Sequence, residues 1–335
     1  MGATIRAIRG FLPAKVLTNE ELAPQVGWTA NDIFAKTGIV ERHVSGEDEC
    51  ASDLAVAAAG RLFADTGTPR ESIDFLVHCT QTPDHILPTT ACLMQARLGL
   101  DSHCMAFDLN QGCSGYIYSL AVAQGLIAAG LGKRGLVTTA DTYTKYIHPN
   151  DRSVRTLFGD GASATLLEAS AESSLDHFVF GTDGSGGKNL IIPAGGTRLR
   201  ISPQTGLAAT DANGSTRTSE NLFMNGQEIF TFTIRKVPAL IDGVLKSAGL
   251  ALGDIDWFVF HQANGFILEH LRRKLGIPSA RMMLFLEHTG NTTSSTIPLT
   301  LEDAIARGAF QPGQRILLAG FGVGYSWGAC LLRWP

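Results

Sequence analysis

The sequence predicts an α/β protein made of two related halves. Strand-like apolar runs alternate with helical patterns through the first half. Four segments then recur in the same order about 180 residues later. Between them, a short apolar strand breaks into an almost charge-free helix. At 335 residues the chain exceeds one typical domain, and its 44% hydrophobic and 17% charged content fits a well-packed core. Its 37 glycines imply many tight turns or close backbone approaches.

In order, Ile5 to Phe11 reads as the first strand, ended by Leu12-Pro13. Thr18-Asn19-Glu20-Glu21-Leu22 reads as a capped helix start. Thr37 to His43 is a turn into an extended segment, and Ser52 to Ala64 has the apolar spacing of an amphipathic helix closed by Gly67. Ile73 to Cys79 is a strand, Thr80 to Pro88 a loop, and Thr90 to Leu98 a helix stopped by Gly99. Cys104 to Leu109 reads as a buried strand, and about Ser114 to Ala129 as a buried helix ending at Gly130. Arg134 to Ala140 and Ala162 to Leu167 are further strands, joined through the turn Phe158-Gly159-Asp160-Gly161. Gly181 to Gly214 has little periodicity and reads as a long excursion, either a linker between halves or a functional loop. A long helix, about Gly226 to Ser247, opens the second half.

The repeat pairs Ile73–His78 with Ile255–Phe260, Ala96–Leu100 with Arg273–Ile277, Gly112–Gly130 with Gly290–Gly308, and Leu136-Val137 with Leu317-Leu318. A halving into 1–172 and 173–335 follows. Equivalent points of the two halves would meet near a pseudo-twofold axis, so Cys113, His261 and Asn291 would converge although distant in sequence.

Composition narrows the function classes. A net charge of −4 argues against general nucleic-acid binding. The uncharged run Leu109 to Gly132 is interrupted by Asn110, Gln111, Gln124 and serines, so a core helix fits it better than a membrane span. No secretory signal is evident in Met1 to Arg9, and six irregularly spaced cysteines without a CxxC pair suit reduced thiols in the cytoplasm rather than a disulfide frame or a metal site.

Cys113 sits where a strand turns into a helix. There the helix dipole and free N–H groups favour a reactive thiolate, although an inert buried cysteine is the alternative for an apolar context. His261 directly follows the strand Trp257 to Phe260 and faces the loops as a candidate base or hydrogen-bond donor. Asn291 occupies nearly the place in the second copy that Cys113 holds in the first, where its amide can donate to an oxyanion or cap a turn. Gly320 to Gly328 reads as a glycine-rich turn. It lacks the lysine of a phosphate loop, so close approach to a reacting carbonyl is the better use for it.

The chain resembles the β-ketoacyl-acyl-carrier-protein synthase III family of the thiolase superfamily. The likeness rests on Lys36-Thr37-Gly38-Ile39-Val40-Glu41-Arg42-His43, the Cys113 turn, Asp151-Arg152, Phe158-Gly159-Asp160-Gly161-Ala162, His261-Gln262-Ala263-Asn264, His288-Thr289-Gly290-Asn291-Thr292 and Gly320 to Gly328. It implies a five-layered αβαβα thiolase fold with duplicated βαβαβαββ halves, a homodimer, and a Cys113–His261–Asn291 active site. By the same resemblance, Cys113 is acylated by an acyl-coenzyme A or acyl-carrier thioester, and a malonyl-carrier thioester is decarboxylated and condensed to a β-ketoacyl product. No metal or redox cofactor is implied, and coenzyme A or phosphopantetheine thioesters enter as substrates. Phe321 and Asn264 match pocket residues, and the N–H of Val323 belongs to the oxyanion turn in place of a glycine.

Several positions depart from the family. Arg152 matches the arginine that stacks on the adenine of coenzyme A, but the tryptophan's position holds Asp32, with Trp28 nearby. The carrier-docking arginine is replaced by Phe266, leaving Arg272, Arg273 and Lys274 as basic candidates. Leu87 stands where the family limits acyl-chain length across the dimer. Transfer of the acyl group from Cys113 to an alcohol or amine is the alternative function, and a non-catalytic partner subunit a further one.

Overall fold

The computed structural model describes residues 2–335. β1 (Gly2–Phe11) leads to a small ribbon of β2 (Val16–Thr18) and β3 (Glu41–His43), with α1 (Asn19–Val26) and α2 (Ala30–Thr37) between its strands. Then come α3 (Ala51–Thr66), β4 (Phe75–Cys79), α4 (Thr90–Leu98), β5 (Met105–Leu109), α5 (Gly115–Ala128), β6 (Arg134–Asp141), β7 (Gly161–Ser170) and β8 (Leu175–Thr182). The excursion holds β9 (Leu190–Ile191), β10 (Ala209–Thr210), β11 (Thr216–Arg217) and β12 (Phe223–Met224). The chain ends with α6 (Gly226–Ala248), β13 (Trp257–Phe260), α7 (Gly265–Leu275), α8 (Thr296–Ala306), β14 (Arg315–Gly322) and β15 (Ser326–Arg333).

Two sheets organise these elements, in the orders β1-β7-β6-β4-β5 and β13-β14-β15-β8. In the first, β4 is parallel to β5 and β6, and β7 is antiparallel to β6 and β1. The second repeats the scheme, with β13 parallel to β14 and β15 antiparallel to β14 and β8. The counterpart of β5 is reduced to one parallel bridge between Phe258 and Met282.

Strand alternation builds the layers. Phe75 and Val77 of β4 face α5 and α8 in the middle, while Leu76 faces α3 and α4 outside. On β14, Ile316 and Leu318 face the same middle layer, and Leu317, Ala319 and Phe321 face α6 and α7. The result is an αβαβα sandwich. α5 lies between two sheets, which is why its sequence is apolar with so little charge.

Three expectations change. Cys104 to Leu109 is not a fully buried strand: β5 is the outer edge of its sheet, and Met105 is 38% exposed. The excursion does not link two halves, because β8 already belongs to the second sheet before the excursion begins. The sequence pattern leaves β8 unassigned, and its register breaks opposite Ala329 and Leu331, which blurs the alternation. The glycine-rich run is mostly strand: Gly320 and Gly322 lie in β14, Gly328 in β15, and only residues 323–325 form the turn.

Candidate active site

Five residues separate β5 from α5, and Cys113 stands among them at the helix start. β14 passes so close that a Cβ on Gly322 would lie 2.6 Å from Cys113 Sγ, and one on Gly320 would lie 2.7 Å from the Cys113 carbonyl oxygen. Only glycine permits this approach. Gly322→Ala is therefore expected to displace the sulfur and slow its acylation about 10²-fold, the cost of roughly a 1 Å misplacement. Intact mass after brief exposure to an acyl thioester reads the effect, and unchanged labelling would refute it.

Cys113 is buried, and burial pushes its thiol up to about 12. The backbone N–H groups of Val323 and Cys113 favour the thiolate but are outweighed, while the charge of Asp141 adds to the rise. The helix start thus does not make a standing thiolate, contrary to the expectation from the dipole alone. It supplies N–H groups aimed at sulfur, which suit an anion formed during reaction.

His261 follows β13, its N–H donating to the Ala319 carbonyl at 2.8 Å. Burial pushes its imidazole down to about 3, so the ring is neutral at ordinary pH. Nδ1 lies 2.8 Å from Thr296 Oγ1, and that hydroxyl lies 3.1 Å from the Thr293 carbonyl. Thr296 can accept from a protonated Nδ1 or donate to a bare one, so it tolerates both ring tautomers. The Phe321 ring meets the imidazole edge-on at 5.9 Å.

Asn291 is fixed by its backbone N–H to the Leu157 carbonyl at 2.9 Å and by its own carbonyl, which accepts from the Gly159 N–H at 3.1 Å. Its Oδ1 accepts from the Thr293 N–H at 3.0 Å, which assigns the other amide atom as nitrogen. That nitrogen donates to the Ala263 carbonyl at 3.3 Å and retains a second proton. Cys113, His261 and Asn291 line one cavity of about 60 Å³ together with Phe321, Asn264 and the apolar Leu190, Met224, Ile229 and Ile267.

The remaining predicted residues are more scattered. Asn264 caps α7, its Oδ1 accepting from the Ile267 N–H at 2.7 Å. Asp32 is engaged in the capping box of α2, where the Thr29 hydroxyl and N–H hold its carboxyl below the usual range. The Arg152 guanidinium lies over the Trp28 ring at 5.9 Å, and Lys36 over the same ring at 5.1 Å. Leu87 is 79% exposed and outside the cavity. Arg272 forks onto Glu269 at 2.7 and 2.8 Å, Arg273 shares that carboxylate, and Lys274 donates to the Ile234 carbonyl at 2.8 Å.

Sequence reasoning missed Thr296, the apolar cavity wall, Ser294 and Asp141. The wall comes from β9, β12, α6 and α7, where nothing in the local pattern marks it. Asp141 had a signal, since the repeat that pairs Leu136 with Leu317 also pairs it with Gly322.

The layered fold and the cysteine–histidine–asparagine cavity define a thiolase-like class of protein. Residues 107–184 match the 3-oxoacyl-[acyl-carrier-protein (ACP)] synthase III family, and residues 245–334 match its C-terminal part. A β-ketoacyl-[acyl-carrier-protein] synthase III of Xanthomonas oryzae is 37% identical, covering 97% of this chain and 96% of its own. A Streptomyces coelicolor protein named as synthase III 3 is 38% identical over 99% of this chain and 97% of its own. Among solved structures, a 3-oxoacyl-(acyl-carrier-protein) synthase III superposes at TM-score 0.98 with 48% identity, and both chains are covered fully. The Pseudomonas aeruginosa synthase III superposes at TM-score 0.87 with 34% identity over 100% of this chain and 99% of that one. The chain belongs to the 3-oxoacyl-acyl-carrier-protein synthase III family.

Proposed function

We propose that this enzyme joins an acyl thioester to a malonyl thioester with loss of carbon dioxide. The observation that carries the reading is the convergence of Cys113, His261 and Asn291 on one cavity beside the N–H of Val323. In the first step the Cys113 proton passes to Nε2 of neutral His261, and sulfur attacks the acyl carbonyl. The N–H groups of Cys113 and Val323 hold the oxyanion. The donor thiolate then leaves with the proton from His261. In the second step the malonyl carbon–carboxylate bond breaks, and its electron pair forms an enolate. Before it forms, the ring exchanges its Nδ1 proton for one taken from solvent on Nε2, with Nδ1 then accepting from the Thr296 hydroxyl, so that the enolate oxygen takes hydrogen bonds from His261 Nε2 and Asn291 Nδ2. The enolate carbon attacks the acyl-enzyme, a carbon–carbon bond forms, the acyl carbon–Sγ bond breaks, and the released Cys113 thiolate takes a proton from solvent. Transfer to an alcohol or amine would leave Asn291 without an enolate to serve. Adding a malonyl thioester to acyl-loaded enzyme tests the reading: it expects one carbon dioxide per acyl group consumed, whereas acyl loss without carbon dioxide would establish transfer.

The thioester arm is best placed past Arg152 and Trp28, whose stacked pair offers a platform for an adenine, with Asp32 exposed in the capping box of α2 nearby. For a carrier protein, the C-terminal end of α7 offers Lys274 together with Arg272 and Arg273, which share the Glu269 carboxylate. Phe266, 60% exposed and packed on Phe230, makes this mouth more apolar than a purely basic docking face.

Three features support the homodimer: β5 leaves a free edge, Ile86 and Leu87 are 92% and 79% exposed, and the buried Oε1 of Gln124 on α5 lacks a partner among the described residues. Pairing there would bring Leu87 towards the partner's pocket. Sedimentation is expected to give twice the 35.7 kDa chain mass, and a monomer at micromolar concentration would refute the pairing. A division at residues 172 and 173 is supported by β7 lying in the first sheet and β8 in the second. No helix among the described residues is long and apolar enough to cross a membrane, and the six free cysteines support a cytoplasmic location.

A further inference from the structure

Asp141 is a fully buried carboxylate that the two steps above leave unused. It ends β6. Its Oδ1 accepts from the Gln81 N–H at 2.8 Å, and its Oδ2 from the Ser294 hydroxyl at 3.1 Å, with the Ser294 N–H directed at the same carboxylate. Gln81 packs against Gly112, where a Cβ would lie 2.4 Å from its Oε1, one residue before Cys113. Ser294 follows Asn291 by three residues and leads into α8. One buried side chain therefore touches the supports of both the nucleophile and the amide donor.

The repeat gives this contact its meaning. β6 and β14 correspond end to end, so Asp141 stands where Gly322 stands in the other half. Gly322 lies against Cys113 Sγ at the start of α5. Asp141 lies against Ser294 at the start of α8. Beside one helix start the missing side chain leaves room for the reacting sulfur. Beside the other, the protein supplies a buried acceptor for the Ser294 N–H and hydroxyl, just ahead of the helix. We propose that Asp141 is a positioning residue for condensation, fixing the segment that carries Asn291 against the Cys113 turn through Ser294 and Gln81. The proposal rests on the condensing function argued above.

Burial pushes the Asp141 carboxyl up to about 7, the Gln81 and Ser294 donors opposing and the negative Asp160 reinforcing the rise. Cys79, Cys113 and Tyr143 are the other titratable groups facing it. Protonation turns one of the two carboxylate oxygens from acceptor into donor, so the full set of bonds to Gln81 and Ser294 belongs to the higher pH and is weakened as pH falls through about 7.

The test uses wild-type enzyme already acylated on Cys113, which removes that thiol from titration, and follows carbon dioxide release from a malonyl thioester. Between pH 8 and pH 6 the rate should fall about fivefold with a midpoint near 7, as a one-proton step of that position requires when the protonated form keeps about a tenth of the rate. Asp141→Asn removes a charge that holds the Cys113 thiol up, so it should load acyl groups at least as fast as wild type, release carbon dioxide about tenfold more slowly at pH 8, and show no limb near 7. Equal losses in loading and release, or a limb that survives the substitution, would overturn the proposal. If Asp141→Asn does not fold, Ser294→Ala decides: release should fall several-fold with loading unchanged, and equal loss or no loss refutes the link. Wild-type enzyme that releases no carbon dioxide at any pH would instead refute the condensing function itself.

Discussion

Asn291→Ala is expected to keep loading acyl groups onto Cys113 while losing malonyl decarboxylation by about 10²–10³-fold, the usual cost of deleting one oxyanion donor. The asymmetry comes from where the two anions form. The oxyanion of loading develops beside the N–H groups of Cys113 and Val323, which a change at Asn291 leaves in place. The enolate has only two side-chain donors, and one of them is the amide whose orientation the Thr293 N–H fixes. Replacing it also frees the Ala263 carbonyl, a smaller effect than the loss of the donor. Stopped-time mass spectrometry separates loading from carbon dioxide release, and equal losses would reassign Asn291 to a structural role.

His261→Ala should instead damage both steps, by about 10²–10⁴-fold for the proton transfer in loading, and further in decarboxylation where it removes the second donor. Burial makes a prediction about pH as well. Because the imidazole is pushed down to about 3, it is already neutral throughout the range from 5 to 8. Loading should therefore show no acid limb near the ordinary histidine value of about 6.5. The thiol is displaced in the other direction, up to about 12, so alkylation of the free enzyme should keep rising as pH increases beyond 9. A plateau of alkylation near neutrality would mean that the helix start prevails over burial after all.

The fold was legible because each layer leaves a local period. β4 and β14 alternate between a helical layer on either side, and α5 is apolar because it is covered on both faces. The repeat then made distant residues neighbours: it paired the strand ends and helix starts on which Cys113, His261 and Asn291 stand. What stayed hidden depends on packing that no local period records. Met224, Ile229 and Leu190 enter the cavity from an aperiodic segment and from one face of α6. The state of the Cys113 thiol also required the structure, since the dipole is visible in a sequence but the depth of burial is not. Asp32 was the reverse case. Thr29-Ala30-Asn31-Asp32 is a readable capping box, and its carboxylate stabilises a helix start while remaining exposed.

Intact mass measurement of wild-type protein and Cys113→Ala, after exposure to acyl-coenzyme A and acyl-carrier thioesters, tests the central claim most directly. One acyl group should appear on wild-type enzyme, be absent from Cys113→Ala, and be discharged by a malonyl thioester with one carbon dioxide and a β-ketoacyl product. An unmodified wild-type protein across the whole panel, or an adduct that persists in Cys113→Ala, would contradict it.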